Sequence, residues 1–147
     1  MAQVTDHITL RNAKVELSLD GSTWIDISGE ANSVEPAGGK RKIAELEPVL
    51  SSRPVLFVGQ AEAVDLKIKV VWREAPAAAS AALYLAYEQR TPVFLRYAPK
   101  GAGASIRYRT GPAFVVRQPL PGGTVDDGRP LLVEIKLKAE YVTTEVL

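Results

Sequence analysis

Val64-Asp65-Leu66-Lys67-Ile68-Lys69-Val70-Val71-Trp72 reads most directly as a β-strand. Val64, Leu66, Ile68, Val70 and Trp72 alternate with Asp65, Lys67, Lys69 and Val71. A spacing of two puts the first set on one side of an extended chain and the second on the other. One side enters a core and the other stays wet, as in an antiparallel sheet covered on one face. The pattern recurs in both directions from this stretch. Ala13, Val15, Leu17 and Leu19 alternate with Lys14, Glu16 and Ser18; the turn Asp20-Gly21-Ser22-Thr23 follows, and Trp24-Ile25-Asp26-Ile27 resumes the extended form. That is a β-hairpin. Leu131, Val133, Ile135, Leu137, Ala139 and Tyr141 alternate with Glu134, Lys136, Lys138 and Glu140. Residues 92–97 and 106–117 supply two more extended segments, with Gly111-Pro112 marking a bulge or an edge in the second.

One helix interrupts the strands. Pro76 suits a first turn, residues 77–90 are alanine-rich and lack glycine, and Arg90-Thr91-Pro92 closes the segment. Ala79, Leu83, Ala86, Tyr87 and Arg90 recur at helical spacing and form one packed face. The expected fold is mainly β: an antiparallel β-sandwich or rolled sheet with one flanking α-helix. At 147 residues the chain reads as one domain, residues 1–147, with a short N-terminal arm over about residues 1–10.

Composition removes several classes of chemistry. There is no cysteine, so disulfides, thiolate metal sites and cysteine nucleophiles are excluded. The single histidine, His7, lies in a polar N-terminal stretch and reads as a surface residue, leaving no histidine cluster for a metal. Lys and Arg number 18 and Asp and Glu 17, a net charge of +1, so the chain is not built to coat nucleic acid or anionic membrane. The N-terminus lacks the pattern of a secretory signal, and the apolar run at residues 75–87 is shorter than the roughly 20 residues of a membrane span. A soluble, cytoplasmically made protein is expected.

Motif tests point away from an enzyme. Gly101-Ala102-Gly103-Ala104-Ser105 precedes a strand instead of opening a helix, Gly38-Gly39-Lys40 lacks the Ser or Thr of a P-loop, and Asp126-Asp127-Gly128 has too few spaced ligands for calcium. Glu45 and Glu47 share a strand face without an aromatic cleft and read as solvated. The expectation is no catalytic residue, no metal and no cofactor.

Two other features are more informative. Residues 28–60 form an awkward excursion containing Pro36-Ala37-Gly38-Gly39-Lys40-Arg41-Lys42 and Ser51-Ser52-Arg53-Pro54. It is either an extra hairpin or an arm to another subunit. The arm reading expects a long assembly loop over about residues 35–54, irregular because of Pro36, Gly38, Gly39, Pro48 and Pro54, with Lys40, Arg41, Lys42, Ile43, Leu46, Val49 and Leu50 at a subunit interface. Charge is also unevenly placed. Residues 1–35 hold six acids and two bases, whereas residues 90–117 hold Arg90, Arg96, Lys100, Arg107, Arg109 and Arg117 and no acid. Arg107 and Arg109 share a strand face opposite Tyr108, which disfavours a nucleic-acid surface and leaves a solvated face or complementary patches between copies.

In order along the chain, the opening hairpin around Val15-Glu16-Leu17-Ser18-Leu19-Asp20-Gly21-Ser22-Thr23-Trp24-Ile25-Asp26-Ile27-Ser28-Gly29-Glu30, the long polar loop, the amphipathic strand, the alanine-rich helix running into Phe94-Leu95-Arg96-Tyr97-Ala98-Pro99-Lys100-Gly101, and the closing strand resemble a phage tail tube protein. The likeness is to the major tail protein of long non-contractile tails, within a wider tube-ring superfamily. It implies a virion structural protein, assembled in the host cytoplasm, whose hexameric rings stack into the tail tube that conducts DNA. Its implied partners are further copies of itself, the tape measure protein, the tail terminator and viral DNA passing without specific binding, with no membrane. The alternative reading is a monomeric or dimeric β-sandwich binding module for carbohydrate, peptide or nucleic acid.

Overall fold

In a computed structural model, which describes residues 12–47, 49, 53–75, 78–101, 103–123 and 128–147, the amphipathic strand takes the centre of a sheet. This strand, β6 (Val64–Val71), buries Leu66, Ile68 and Val70 and turns Asp65, Lys67 and Lys69 outward, as the alternation requires. On one side it pairs antiparallel with β3 (Ala31–Gly38), on the other with β11 (Leu132–Ala139). In β11, Val133, Ile135, Leu137 and Ala139 face the core. Two short strands, β9 (Ala113–Val115) and β10 (Pro121–Gly122), lie along β11.

The second sheet has the order β12-β8-β7-β1-β2, comprising β1 (Lys14–Ser18), β2 (Ile25–Asp26), β7 (Phe94–Ala98), β8 (Ile106–Thr110) and β12 (Val142–Val146). The expected opening hairpin is its β1–β2 pair, with Leu17 opposite Ile25. Asp20 Oδ1 organises the turn by accepting from the Ser22 and Thr23 amides at 2.9 and 2.8 Å. Val15, Leu17 and Leu95 from this sheet meet Leu66, Ile68 and Ile135 from the other, and Leu83 closes the core from the flanking helix α1 (Ala79–Gln89). Burying each large apolar side chain contributes about 1.5–3 kcal/mol.

The helix leaves Glu88 and Gln89 exposed and ends at Arg90 in the left-handed conformation, φ 56°. It begins at Ala79, after Ala78 in the extended conformation, and not with a first turn at Pro76 as expected; Pro76 itself lies outside the described residues, as does the N-terminal arm with His7. Pro36 sits within β3, an edge strand, where a missing amide donor is tolerated.

Residues 106–117 are not one extended segment. Gly111-Pro112 turns a corner that sends β8 into one sheet and β9 into the other, and Glu140-Tyr141 does the same between β11 and β12. The corners clasp each other: Gly111 N donates to Tyr141 O at 2.8 Å, and Glu140 N to Pro112 O at 3.1 Å. A Cβ on Gly111 would lie 2.5 Å from the exposed Tyr141 ring, which would have to move to admit it.

Candidate functional site

The awkward excursion is an ordered ribbon. Strands β3 and β6 extend beyond the sheet as β4 (Arg41–Leu46) and β5 (Val55–Ala61), which among the described residues pair only with each other. Gly38 and Gly39, at φ 82° and 75°, form the joint on one strand, with Glu62 and Ala63 opposite. Gly39 N donates to Ala63 O at 3.3 Å and Glu62 N to Lys40 O at 2.7 Å, so hydrogen bonding continues through the joint. The expected irregularity of residues 35–46 is therefore wrong. Glycine at this point bends a β-ribbon without ending it, and proline occupies an edge.

Every described residue of β4 and β5 is exposed. Register places Ile43, Glu45, Leu56 and Val58 on one face and Ala44, Leu46, Val55 and Phe57 on the other. Both faces are thus largely apolar, with Phe57 at 55% and Val58 at 66% exposure. Among the candidate interface residues, Lys40, Arg41, Lys42, Ile43 and Leu46 all lie on this ribbon and are exposed. Val49 near its tip is fully exposed, and Leu50 lies outside the described residues. Sequence reasoning missed Val55, Leu56, Phe57 and Val58, the most apolar part of the hairpin. Their signal was the unbroken apolar run itself, the pattern of a strand covered on both faces.

The outward face of the β6 sheet is a lattice of mixed charge. Lys67 Nζ lies 3.3 Å from Glu134 and 4.0 Å from Glu35, and Arg117 lies 3.8 Å from Glu134. Lys138 stands opposite Asp65 and Glu134 opposite Lys69.

The basic segment does not form a free basic patch. Arg96 donates to Glu16 Oε2 at 2.8 Å and packs over the Trp24 ring at 4.2 Å, while Arg107 donates from Nε to Glu145 Oε2 at 3.0 Å. Arg109 reaches Gly21 O at 3.0 Å and Glu145 at 3.7 Å. The hydrogen bond from Arg107 holds the Glu145 carboxyl below its usual range. Tyr108 lies on the other face against Tyr97, ring centroids 5.4 Å apart, as the alternation expected. Four of the six bases of residues 90–117 thus have an acidic partner within the same copy. Glu16 is buried, and Asp20 and Asp26 serve their own turns, the latter through Ser28. Of the three, Glu16 is held by Arg96, and Asp20 and Asp26 use Oδ1 in their turns and stay exposed. Glu45 and Glu47 are exposed on or beside the hairpin.

Two sheets packed face to face, corner-turning strands, one flanking helix and a projecting two-stranded ribbon make up the described fold. Solved structures of phage-type tails and of a contractile injection system share it. The chain is similar to a chain of an extracellular contractile injection system, the PVC sheath-tube complex in the extended state, at 14% identity and a TM-score of 0.73 over 98% of this chain and 95% of that one. It is similar to the SPP1 tail tube at 14% identity and a TM-score of 0.71, over 96% of this chain and 80% of that one. It is also similar to the tail of an empty GTA particle refined helically with C6 symmetry, at 11% identity and a TM-score of 0.65, over 93% of this chain and 96% of that one. No family model and no curated protein sequence matches the chain.

Proposed function

We propose that the chain is a structural subunit of a phage-type tail tube, self-assembling into hexameric rings that stack into a conduit for DNA. One observation carries this: a hairpin apolar on both faces that has no cover among the described residues of its own chain. An isolated two-stranded hairpin is marginal in water, and exposed apolar ribbons are templates for association. A second copy of the chain supplies the cover. The likeness to a tail refined with sixfold symmetry supports rings of six.

The mixed-charge face of the β6 sheet suits a lumen wall. Lys67, Lys69, Lys136 and Lys138 are interspersed with Asp65, Glu35 and Glu134, which limits the counterion-driven grip that a wholly basic wall would exert on phosphates. DNA then passes without specific binding, and the subunit needs no cofactor and performs no catalysis. A tape measure protein inside the tube and a terminator at its end complete the partners, in a virion tail assembled in the host cytoplasm.

The test replaces residues 40–62 with a two-residue Asn-Gly turn, which joins β3 to β6 directly. Negative-stain microscopy and size-exclusion chromatography at rising concentration should show rings or tubes for the full chain and a folded monomer for the variant. Normal tubes from the variant, or a full chain that stays monomeric at every concentration, would refute the proposal.

A further inference from the structure

A second uncovered apolar surface lies at the opposite pole of the molecule. It is an open groove of about 620 Å³ beside α1, with Leu19, Trp72, Ala82 and Leu85 among its walls and Glu74 and Glu88 on its rim. Leu19 and Leu85 are each about half exposed, at 49% and 50%. Within the groove Arg73 is neutralised by Glu30, but among the described residues neither Glu74 nor Glu88 has an ion-pair partner.

Strand β6 fixes where this groove stands relative to the hairpin. The ribbon leaves for the hairpin at the Val64 end of β6, and the groove begins at Trp72, directly after the Val71 end. Eight residues of strand separate the two by about 26 Å. The hairpin points away from the groove, so no chain fills its own groove with its own hairpin. A donor at one pole and an acceptor at the other make a heterologous, head-to-tail contact, which propagates from copy to copy without closing on a pair. Charge agrees with this pairing. The base of the hairpin carries Lys40, Arg41 and Lys42, which match the acidic rim in sign.

We propose that the β4–β5 hairpin of one copy docks into the α1 groove of the next copy. This rests on the tube-subunit reading and adds its acceptor site. Apolar contact supplies the adhesion, and the cations against Glu74 and Glu88 set the register, because exposed ion pairs contribute little by themselves.

The absence of cysteine permits a direct test. Chains carrying Leu56→Cys or Phe57→Cys, one on each hairpin face, are mixed with chains carrying Leu85→Cys, assembled and oxidised. A disulfide between different copies is expected from at least one of the two mixtures, and none from a control with Lys136→Cys. Leu85→Glu should melt as the parent does yet raise the concentration needed for assembly by about tenfold or more, the loss expected for one buried leucine. Reversal of Glu74 and Glu88 to Lys should weaken assembly, and reversal of Lys40 and Lys42 to Glu in the same chain should restore it. If tubes form without either cross-link and Leu85→Glu assembles normally, the docking site is wrong and the tube reading stands. If the parent chain never assembles, both are wrong.

Discussion

Strands β3 and β6 and strands β4 and β5 are consecutive lengths of one ribbon, yet the first pair lies against a core and the second stands in solvent on both faces. Their sequences differ in the matching way. In β6 the apolar residues alternate with Asp65, Lys67 and Lys69, so one cover is enough. In β5, Val55-Leu56-Phe57-Val58 offers apolar groups to both sides and receives no cover from the described residues. The β3–β6 and β4–β5 pairs are both antiparallel and of similar length, but β6 also pairs with β11 whereas β5 has no second strand among the described residues. What further separates them is whether the covering layer comes from the same chain or from elsewhere.

The sharpest way to break this comparison is to place one charge in each half. Ile68 is fully buried, so Ile68→Asp should remove about 3–5 kcal/mol through an unpaired buried carboxylate. Phe57→Asp lies on the exposed hairpin and should change monomer stability by no more than about 0.5 kcal/mol while abolishing assembly. Denaturant titration of dilute, unassembled protein measures both. Equal losses would mean that the hairpin belongs to the folding unit after all.

The joint between the halves comes next in size. Gly38 has φ 82°, and a Cβ there would approach Ala63 O to 2.9 Å. Gly38→Ala should therefore cost about 1–2 kcal/mol, and it should impair assembly more than folding because it re-aims the hairpin. Gly29 has open space around its missing Cβ and no positive φ, so Gly29→Ala is a neutral control. Equal melting curves for the two variants would remove the joint from the argument.

The two halves were also unequally legible in the sequence. Alternation at Val64–Val71 and Leu132–Ala139 gave strand, face and core membership together, because periodicity of two has only one reading when the alternate residues are charged. The helix followed from its alanine content, helical spacing and the stop at Thr91-Pro92, and the opening hairpin from turn chemistry. The hairpin did not, since Gly38-Gly39 and Pro36 read locally as breaks and only pairing with β6 shows that the ribbon continues. Nor were the Arg96–Glu16 and Arg107–Glu145 pairs visible. They join residues far apart in sequence, which segment charges alone do not reveal.

A smaller effect should sharpen the contrast at the core pole. The helix N-cap, Ala78, has no side chain to cap with, and Glu30 does that work from 49 residues away: its Oε2 accepts from Ala79 N at 3.1 Å while its other oxygen holds Arg73. Glu30→Ala should cost about 1 kcal/mol, the usual loss of a cap. Hydrogen exchange should quicken in the first turn of α1 and stay unchanged in β4 and β5. Faster exchange in both places would show that the two poles are coupled.

The smallest effect concerns acid, and it tests whether pH-dependent stability resides in the core sheets alone. Glu145 fastens the edge strand β12 to β8 through Arg107, and that hydrogen bond lowers its carboxyl pKa in the folded chain. Asp20 is lowered by the backbone amides of Thr23 and Ser22, and Asp26 by Ser28. A carboxyl with a depressed folded-state pKa binds its proton less readily in the folded chain than in the unfolded one. Its stabilisation is complete above the ordinary carboxylate range, about pH 4, and is lost as pH falls through the depressed value. Stability should therefore be flat from neutral pH down to about 5 and decline below it. Glu145→Gln should make the decline shallower without abolishing it, because Asp20 and Asp26 remain. The change should be modest, since Glu145 keeps 28% of its side chain in solvent. All three groups lie in the sheet that the hairpin does not join, so the chain lacking residues 40–62 should show the same acid profile as the full chain. Denaturant midpoints measured across this range for the three proteins decide it. A profile that flattens when the hairpin is removed, and not when Glu145 is replaced, would place the titrating contacts in the distal half and undo the division between a self-covered core and a hairpin awaiting its cover.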